Sequence, residues 1–292
     1  MMRVAIYGRK VSKPNLQCFY DVFEQIYSFG WSLVLEEHLA DSILQKGTLN
    51  YNYTTFNSHI DLKNKVDLVI SIGGDGTFLK SVSYIKDSGV PIMGINTGRL
   101  GFLANVSKDQ IVEAMNEIKH KNYIFQKRSL LRVEVEDSKD GDYLAMNELA
   151  IHKKDTASMV AVNASLDDNF LNSYWSDGLI VSTPTGSTAY NLSCGGPIIT
   201  PGCQVHIITP IAPHNLNVRP VVVPDHMPIK LSVEGRGRSY LMSIDGKSVS
   251  IKQGQEIKIT KADFMINVIK FENNNFLDTI RNKMLWGSDK RN

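Results

Sequence analysis

Residues 67–72 form a short apolar run that ends in Gly73-Gly74-Asp75-Gly76-Thr77, and a helix-like stretch follows at 77–86. Glycines without a Cβ let backbone N–H groups approach phosphate oxygens, and a helix N-terminus adds positive partial charge. An aspartate is out of place in a simple phosphate loop, because like charges repel. Its presence points to work on a metal or on a proton. Lys80, four residues beyond Gly76, is spaced to offset phosphate charge from the loop side of the helix. The plainer reading is a tight strand–helix turn with Asp75 as its N-cap.

A second glycine-rich loop, Gly94-Ile95-Asn96-Thr97-Gly98-Arg99-Leu100-Gly101-Phe102, follows the next strand-like run. There Asn96 suits either a ligand or a turn cap. Further on, Asn147-Glu148 interrupts a strand-like stretch and offers donors and acceptors in the mixture that ribose hydroxyls require, although a turn or an exposed strand edge explains any two polar residues equally well. The most specific string is Asp177-Gly178-Leu179-Ile180-Val181-Ser182-Thr183-Pro184-Thr185-Gly186-Ser187-Thr188-Ala189-Tyr190-Asn191-Leu192-Ser193. It combines a hydroxyl-rich turn with one aromatic face, which suits a nucleoside. Its structural alternative is a helix over 188–193 capped by Ser187. Gly246-Lys247-Ser248 resembles the end of a phosphate-binding P-loop, but Leu241 stands where that motif needs its first glycine.

The elements that must position these residues change character along the chain. Up to about residue 122, short apolar strands (4–7, 33–35, 67–72, 91–95) alternate with helix-length segments (15–28, 77–86, 108–120). This alternation predicts a parallel sheet with helices on both faces. Beyond 123 the period becomes two, at 131–135, 229–233 and 257–259, with further strands at 160–166 and 204–209. Turn signals such as Asp245-Gly246 and Gln253-Gly254 separate the runs. The organisation predicted is an α/β domain over 1–125, a β-rich sandwich-type domain over 126–275, and a C-terminal helix and tail over 276–292 that packs back on the first domain.

Composition narrows the function classes. The 292 residues carry 32 Lys+Arg against 30 Asp+Glu, a formal net charge of +2, which argues against polyanion binding by bulk charge. Nucleotide affinity is therefore expected to depend only modestly on salt. Three scattered cysteines and no Cys-x-x-Cys or His-x-x-x-His pair speak against a disulfide scaffold or a structural zinc. The first residues read as a strand rather than a signal peptide, and no apolar window is long enough to cross a bilayer. A cytoplasmic protein of a reducing compartment is the expectation.

Taken in order, Gly73-Gly74-Asp75-Gly76-Thr77, Asn147-Glu148 and the Asp177–Tyr190 string resemble the signature blocks of the NAD kinase family. Cys194-Gly195-Gly196-Pro197 and His214-Asn215-Leu216-Asn217-Val218-Arg219-Pro220 resemble later family segments, so the likeness covers nearly the whole chain. The glycine–aspartate block alone is shared with diacylglycerol-type lipid kinases. A lipid kinase is therefore the main rival, and a catalytically silent dinucleotide sensor is the other. A lipid kinase would leave the Thr183–Tyr190 string unexplained, and the chain offers no membrane-facing basic helix.

The resemblance implies a Rossmann-like α/β domain followed by a β-sandwich-type domain. It also implies transfer of the γ-phosphoryl of ATP to the 2′-hydroxyl of the adenosine ribose of NAD, giving NADP. Asp75 would be the proton acceptor, and Gly76 and Lys80 would lie near the pyrophosphate of NAD. Asn147 and Glu148 would hold a ribose, with Asp177 contacting the dinucleotide. Thr188, Ala189, Tyr190, Asn191, Leu192 and Ser193 would line the adenosine pocket, with Ala212 close by. A divalent cation, Mg²⁺ by this resemblance, would screen the ATP phosphates and be held by substrate oxygens rather than by a protein cage. A homodimer or homotetramer is implied, with no nucleic acid or membrane partner. Trp175, Lys247 and Ser158 depart from common family residues (Arg, Gln and His), which leaves their contacts open.

Overall fold

The computed structural model describes the chain except Lys10, residues 139–140 and 155–158, Arg236, Arg238, and residues 273–274 and 287–292. Ser158 thus lies outside the described residues. Two compact units emerge, Met1–Lys127 with Ile266–Asn292, and Arg128–Met265.

The first unit is built on an eight-stranded sheet in the order Tyr53–Phe56, Ser32–Glu36, Arg3–Gly8, Leu68–Gly73, Ile92–Asn96, Ile266–Lys270, Ile124–Arg128, with the short Val106–Ser107 beside Ile92–Asn96. From Tyr53–Phe56 through Ile266–Lys270 every neighbouring pair runs parallel. Successive residues Val4, Ala5 and Ile6 are all buried, as are Leu68, Val69 and Ile70. Burial on both faces explains why these strands read as unbroken apolar runs rather than alternating ones. Helix Lys13–Ser28 buries Phe19, Val22, Phe23 and Ile26, and helix Ile111–His120 buries Ile111, Met115 and Ile118 in the same core. The expected helix at 108–120 begins as a 3₁₀ turn, Lys108–Gln110, before the α-helix proper.

The strand order reverses direction between Arg3–Gly8 and Leu68–Gly73: the chain leaves the first toward Ser32–Glu36 and the second toward Ile92–Asn96. Loops at the carboxyl ends of two such strands diverge and open a crevice, where sheets of this kind hold ligands. The Gly73–Thr77 loop sits at that point.

The second unit consists of two antiparallel six-stranded sheets. One has the order Val221–Pro224, Val205–Ile211, Gly178–Ser182, Glu148–His152, Ser239–Ile244, Lys247–Lys252. The other runs Asn169–Ser176, Val160–Leu166, Ile229–Glu234, Ile257–Lys261, Leu131–Val135, Tyr143–Ala145. Leu149, Ile151, Leu179 and Val181 of the first share one core with Val133, Val162, Leu231 and Ile259 of the second. That is sandwich packing, with every second residue turned inward.

At the C-terminal end the chain rejoins the first unit at Ile266, inside the 126–275 span read in the sequence as β-rich. Strand Ile266–Lys270 pairs with Ile92–Asn96 of the first sheet, and Asn267 donates to the Gly89 carbonyl at 3.1 Å. Helix Phe276–Met284, capped by the Asn275 side chain, follows in the same unit and buries Ile280.

Candidate functional site

In the first unit the glycine–aspartate loop has a definite architecture. Gly74 is the N-cap of helix Asp75–Ile85, and its carbonyl accepts from Thr77 and Phe78. Asp75 is the first helical residue, and its side chain does not cap its own helix. Its carboxylate accepts three backbone N–H groups of the second glycine loop: Phe102 on Oδ2 at 2.9 Å, and Leu103 and Ala104 on Oδ1 at 3.1 and 3.0 Å. The N-cap reading of Asp75 is therefore replaced by a bond between the two loops.

The glycines divide by purpose. A Cβ on Gly73 would strike Thr77 at 2.4 Å, so the turn itself demands glycine there. A Cβ on Gly74 or Gly76 would meet nothing within 4 Å. Their bareness leaves backbone open at a helix start, where the first N–H groups lack intrahelical partners. Lys80 is exposed on the same helix. Asn96 resolves as a turn cap: its Oδ1 accepts the Gly98 N–H at 2.7 Å, and its Nδ2 donates to the Ala104 carbonyl at 3.4 Å.

In the second unit, strand pairing brings the Asn147-Glu148 pair beside the 177–190 string, with Glu148 opposite Ser182. On the other side of Glu148–His152 lies the hairpin whose Asp245-Gly246 turn has both residues at positive φ, 45° and 82°. This turn delivers a residue that sequence reasoning treated only as a turn signal. The Asp245 carboxylate accepts the N–H groups of Met146 (2.6 Å), Asn147 (3.0 Å) and Glu148 (3.1 Å). The Asp-Gly pair signals the turn; its carboxylate's target is fixed only by the pairing of two distant strands. The same hairpin bears out that Gly246-Lys247-Ser248 is no P-loop. Lys247 sits over the Tyr143 ring at 5.2 Å.

Glu148 has the strongest electrostatic perturbation in this group. Burial, reinforced by the nearby Asp245 charge, pushes its carboxyl up to about 8 against a partial offset from the Tyr190 N–H. Burial also raises Asp245, to about 6, while its three backbone donors favour the ionised form. Burial and the neighbouring charge thus favour the protonated form of Glu148, while three backbone donors favour the ionised form of Asp245. The Glu148 Oε2 is buried and has no hydrogen-bond partner among the described residues. A buried carboxyl oxygen in that condition lacks the partner that buried polar groups ordinarily have.

The hydroxyl-rich string does less ligand-facing work than its composition suggests. Ser182 donates to the Asn147 and Thr183 carbonyls, and Thr183 donates to the Met146 carbonyl at 2.5 Å and accepts from Gly186. Ser187 does not cap a helix. Its hydroxyl bonds the Pro184 carbonyl and the backbone of Ile199, and the only α-helix there is the four-residue Tyr190–Ser193 with Ala189 before it. Asn191 is buried, with its amide engaged by Ser187, Pro197 and the Thr209 hydroxyl. Gly186 is required because a Cβ would lie 2.2 Å from the Asn147 carbonyl oxygen. These groups fix the shape of the turn.

What the turn presents outward is Thr188, Ala189, Tyr190, Leu192 and Ser193, none of them buried. The Tyr190 ring stacks on His152, with centroids 5.7 Å apart at 28°. Burial lowers the His152 pKa and raises those of Tyr190 and Cys194, which share a side-chain hydrogen bond. Asp177 is paired with Lys153 at 2.5 Å, and its N–H donates to the Ile211 carbonyl. Ala212, next in the chain, takes a positive φ of 44°. Among the described residues no cluster of three or more His, Cys, Asp or Glu can cage a metal ion.

Residues 5–123 match the ATP-NAD kinase N-terminal domain family, and residues 146–271 match the ATP-NAD kinase C-terminal domain family. The chain is 44% identical to the NAD kinase of Flavobacterium psychrophilum over 295 residues, and the match covers all of both chains. It is 38% identical to the NAD kinase of Porphyromonas gingivalis over 291 residues, again with full coverage of both. Among solved structures, an NAD kinase from Archaeoglobus fulgidus in complex with ATP is 28% identical with a TM-score of 0.72, covering 97% of this chain and 99% of that one. The fold is also that of yeast NADH kinase complexed with NADH, at a TM-score of 0.88 and 23% identity, covering 99% of this chain and 89% of that one.

Proposed function

The chain belongs to the NAD kinase family, and we propose that it transfers the γ-phosphoryl of ATP to the 2′-hydroxyl of the adenosine ribose of NAD, giving NADP and ADP. The observation that carries this reading is Asp75. It is an acid fixed by three N–H donors, beside open glycine backbone, at the crevice of a doubly wound sheet. The lipid kinase alternative falls away, because both domain families and the full-length relatives are NAD kinases.

In the proposed reaction the ribose 2′-oxygen attacks the γ-phosphorus, its proton passes to the Asp75 carboxylate, and the bond to the β,γ-bridging oxygen breaks to release ADP. Such transfers rest on alignment and charge stabilisation more than on covalent chemistry. Gly76 and Lys80 face the pyrophosphate of NAD in this reading. Asn147 and Glu148 bind a ribose, with Asp245 holding the 146–148 backbone in place. Thr188, Ala189, Tyr190, Leu192 and Ser193 line the adenosine pocket. Asn191 supports that pocket from behind, and Asp177 and Ala212 complete the dinucleotide contacts. We assign the dinucleotide contacts outside the glycine loops to the β-rich domain. Among the described residues no donor set fits a resident metal ion, and the divalent cation is assigned to the triphosphate that it escorts. A homo-oligomer acting in the cytoplasm completes the proposal; no helix among the described residues is long and apolar enough to cross a membrane.

The test is direct. Purified protein incubated with ATP, Mg²⁺ and NAD should form NADP, and Asp75→Asn should lose about two to four orders of magnitude in kcat, the usual worth of a positioned proton acceptor. No NADP from the wild type would overturn the activity. Undiminished turnover by Asp75→Asn would overturn only the role of Asp75.

A further inference from the structure

We propose that the C-terminal helix Phe276–Met284 is a positioning element for Asp75, acting through Phe102. The inference rests on the reading of Asp75 as proton acceptor. Its physical basis is the unequal support of the two carboxylate oxygens. Oδ1 receives two N–H donors, from Leu103 and Ala104, whose side chains are buried. Ala104 is also pressed against Gly94, where an added Cβ would come within 2.6 Å of the Ala104 Cα. That end of the loop is fixed by the core. Oδ2 receives a single donor, from Phe102, at the less buried end of the loop, where Leu100 is exposed.

The side chain of Phe102 is held by the C-terminal helix. Its ring lies 6.4 Å from that of Phe276, and the Lys283 ammonium sits 4.8 Å from its centroid. Phe276, Ile280 and Lys283 follow one another at i, i+4 and i+7, so they form one stripe of the helix. Ile280 in the middle of that stripe is buried. The residue gripped by this stripe is the one that donates to Oδ2.

A carboxylate oxygen has about two acceptor sites. Oδ1 has both filled by backbone, while Oδ2 keeps one. The geometry therefore assigns Oδ2 as the atom that takes the ribose proton, and its aim depends on where the helix holds Phe102. Gly101 belongs to the same device. A Cβ there would fall 1.9 Å from Asp75 Oδ1, so the loop closes on the carboxylate only because this residue has no side chain.

Steady-state kinetics with ATP and NAD, alongside thermal midpoints, test the proposal. Phe276→Ala should lower kcat by roughly tenfold or more with KM for both substrates nearly unchanged, since misplacing a reacting group costs rate rather than binding. Phe276→Tyr should restore kcat. Lys283→Met, which keeps the stem and removes the charge, should lower kcat by about twofold to fivefold in line with a partly exposed cation–ring contact. Gly101→Ala should approach the defect of Asp75→Asn. Leu277→Ala, on an exposed residue of the same helix, should match wild type. Wild-type kcat in both Phe276→Ala and Lys283→Met, with Asp75→Asn inactive, would overturn the role of the helix and leave Asp75 as base. So would a kcat loss that Phe276→Tyr fails to restore. An active Asp75→Asn would overturn the reading on which the proposal stands.

Discussion

Replacing Glu148 by glutamine should make the protein more stable at alkaline pH and flatten its pH dependence. Unfolded, this carboxyl ionises near 4.5; folded, it holds its proton up to about 8 because it is buried and faces the Asp245 charge. Between those values the native state binds more protons than the unfolded state, so the contribution of Glu148 to stability falls as pH rises. Integrating the two titrations from about pH 5.5 to about pH 8.5 gives a loss of roughly 3 kcal/mol from this residue. Glutamine keeps the size and the hydrogen-bonding oxygen but has nothing to ionise, so that loss should vanish. Urea unfolding followed by tryptophan fluorescence at a series of pH values reads the difference as a shift in midpoint at constant slope. Glu148→Gln should match or trail wild type near pH 5.5 and exceed it near pH 8.5. An identical pH slope in the two proteins would refute the assignment of the proton to Glu148.

His206 should act in the opposite direction at low pH. Its ring is fully buried, neither nitrogen has a hydrogen-bond partner among the described residues, and burial lowers its pKa to about 4. The unfolded state therefore takes up the proton first, and stability is lost as pH falls through 6.5 toward 4. His206→Leu should remove about 2 kcal/mol of that acid sensitivity between neutral pH and about pH 4.5, measured by the same unfolding series. An unchanged acid limb would contradict it. Two glycine substitutions should separate fold from binding. Gly186→Ala drives a Cβ to 2.2 Å from a backbone oxygen and should cost about 1–3 kcal/mol of stability. Gly76→Ala meets open space, so it should leave the thermal midpoint intact and raise KM; equal destabilisation by the two would sink the distinction. Trp175 is exposed on the edge strand Asn169–Ser176, so Trp175→Arg should alter the ratio of turnover with NAD and NADH, or with different phosphate donors, without loss of stability. Identical ratios would rule out a selective role.

Four strands of the first sheet, at 4–7, 33–35, 67–72 and 91–95, are legible because burial on both faces leaves apolar runs, whereas the more exposed Tyr53–Phe56 and Ile124–Arg128 carry no such run. The period-two strands of the sandwich were legible for the opposite reason: one face of each is wet. Residues 266–270 fall inside the span read as β-rich, and nothing in five residues says which sheet they join. Only the non-local partner Ile92–Asn96 decides that. The site shows the same limit. Asp75, Asn147, Glu148 and Tyr190 stand out by type and context. Yet the residue types alone did not reveal that Ser182, Thr183, Ser187 and Asn191 are consumed in shaping their own turn.

Both units use the same device at the residues assigned to the chemistry. Asp75 gathers the N–H groups of residues 102–104, and Asp245 those of 146–148. Three consecutive N–H groups converging on one carboxylate fix a backbone segment more tightly than neutral bonds do, because each is charge-assisted. The two cases differ in what is left over. At Asp245 the carboxylate is buried and its effect passes to Glu148, whose proton it helps retain. At Asp75 one acceptor site stays open beside glycine backbone. A net charge of only +2 on a chain proposed to hold two polyphosphate nucleotides then has a structural counterpart. Aimed backbone dipoles, a helix start and fixed carboxylates replace a basic surface, and so nucleotide binding that collapsed with rising salt, as in a nucleic-acid binder, would contradict this assignment.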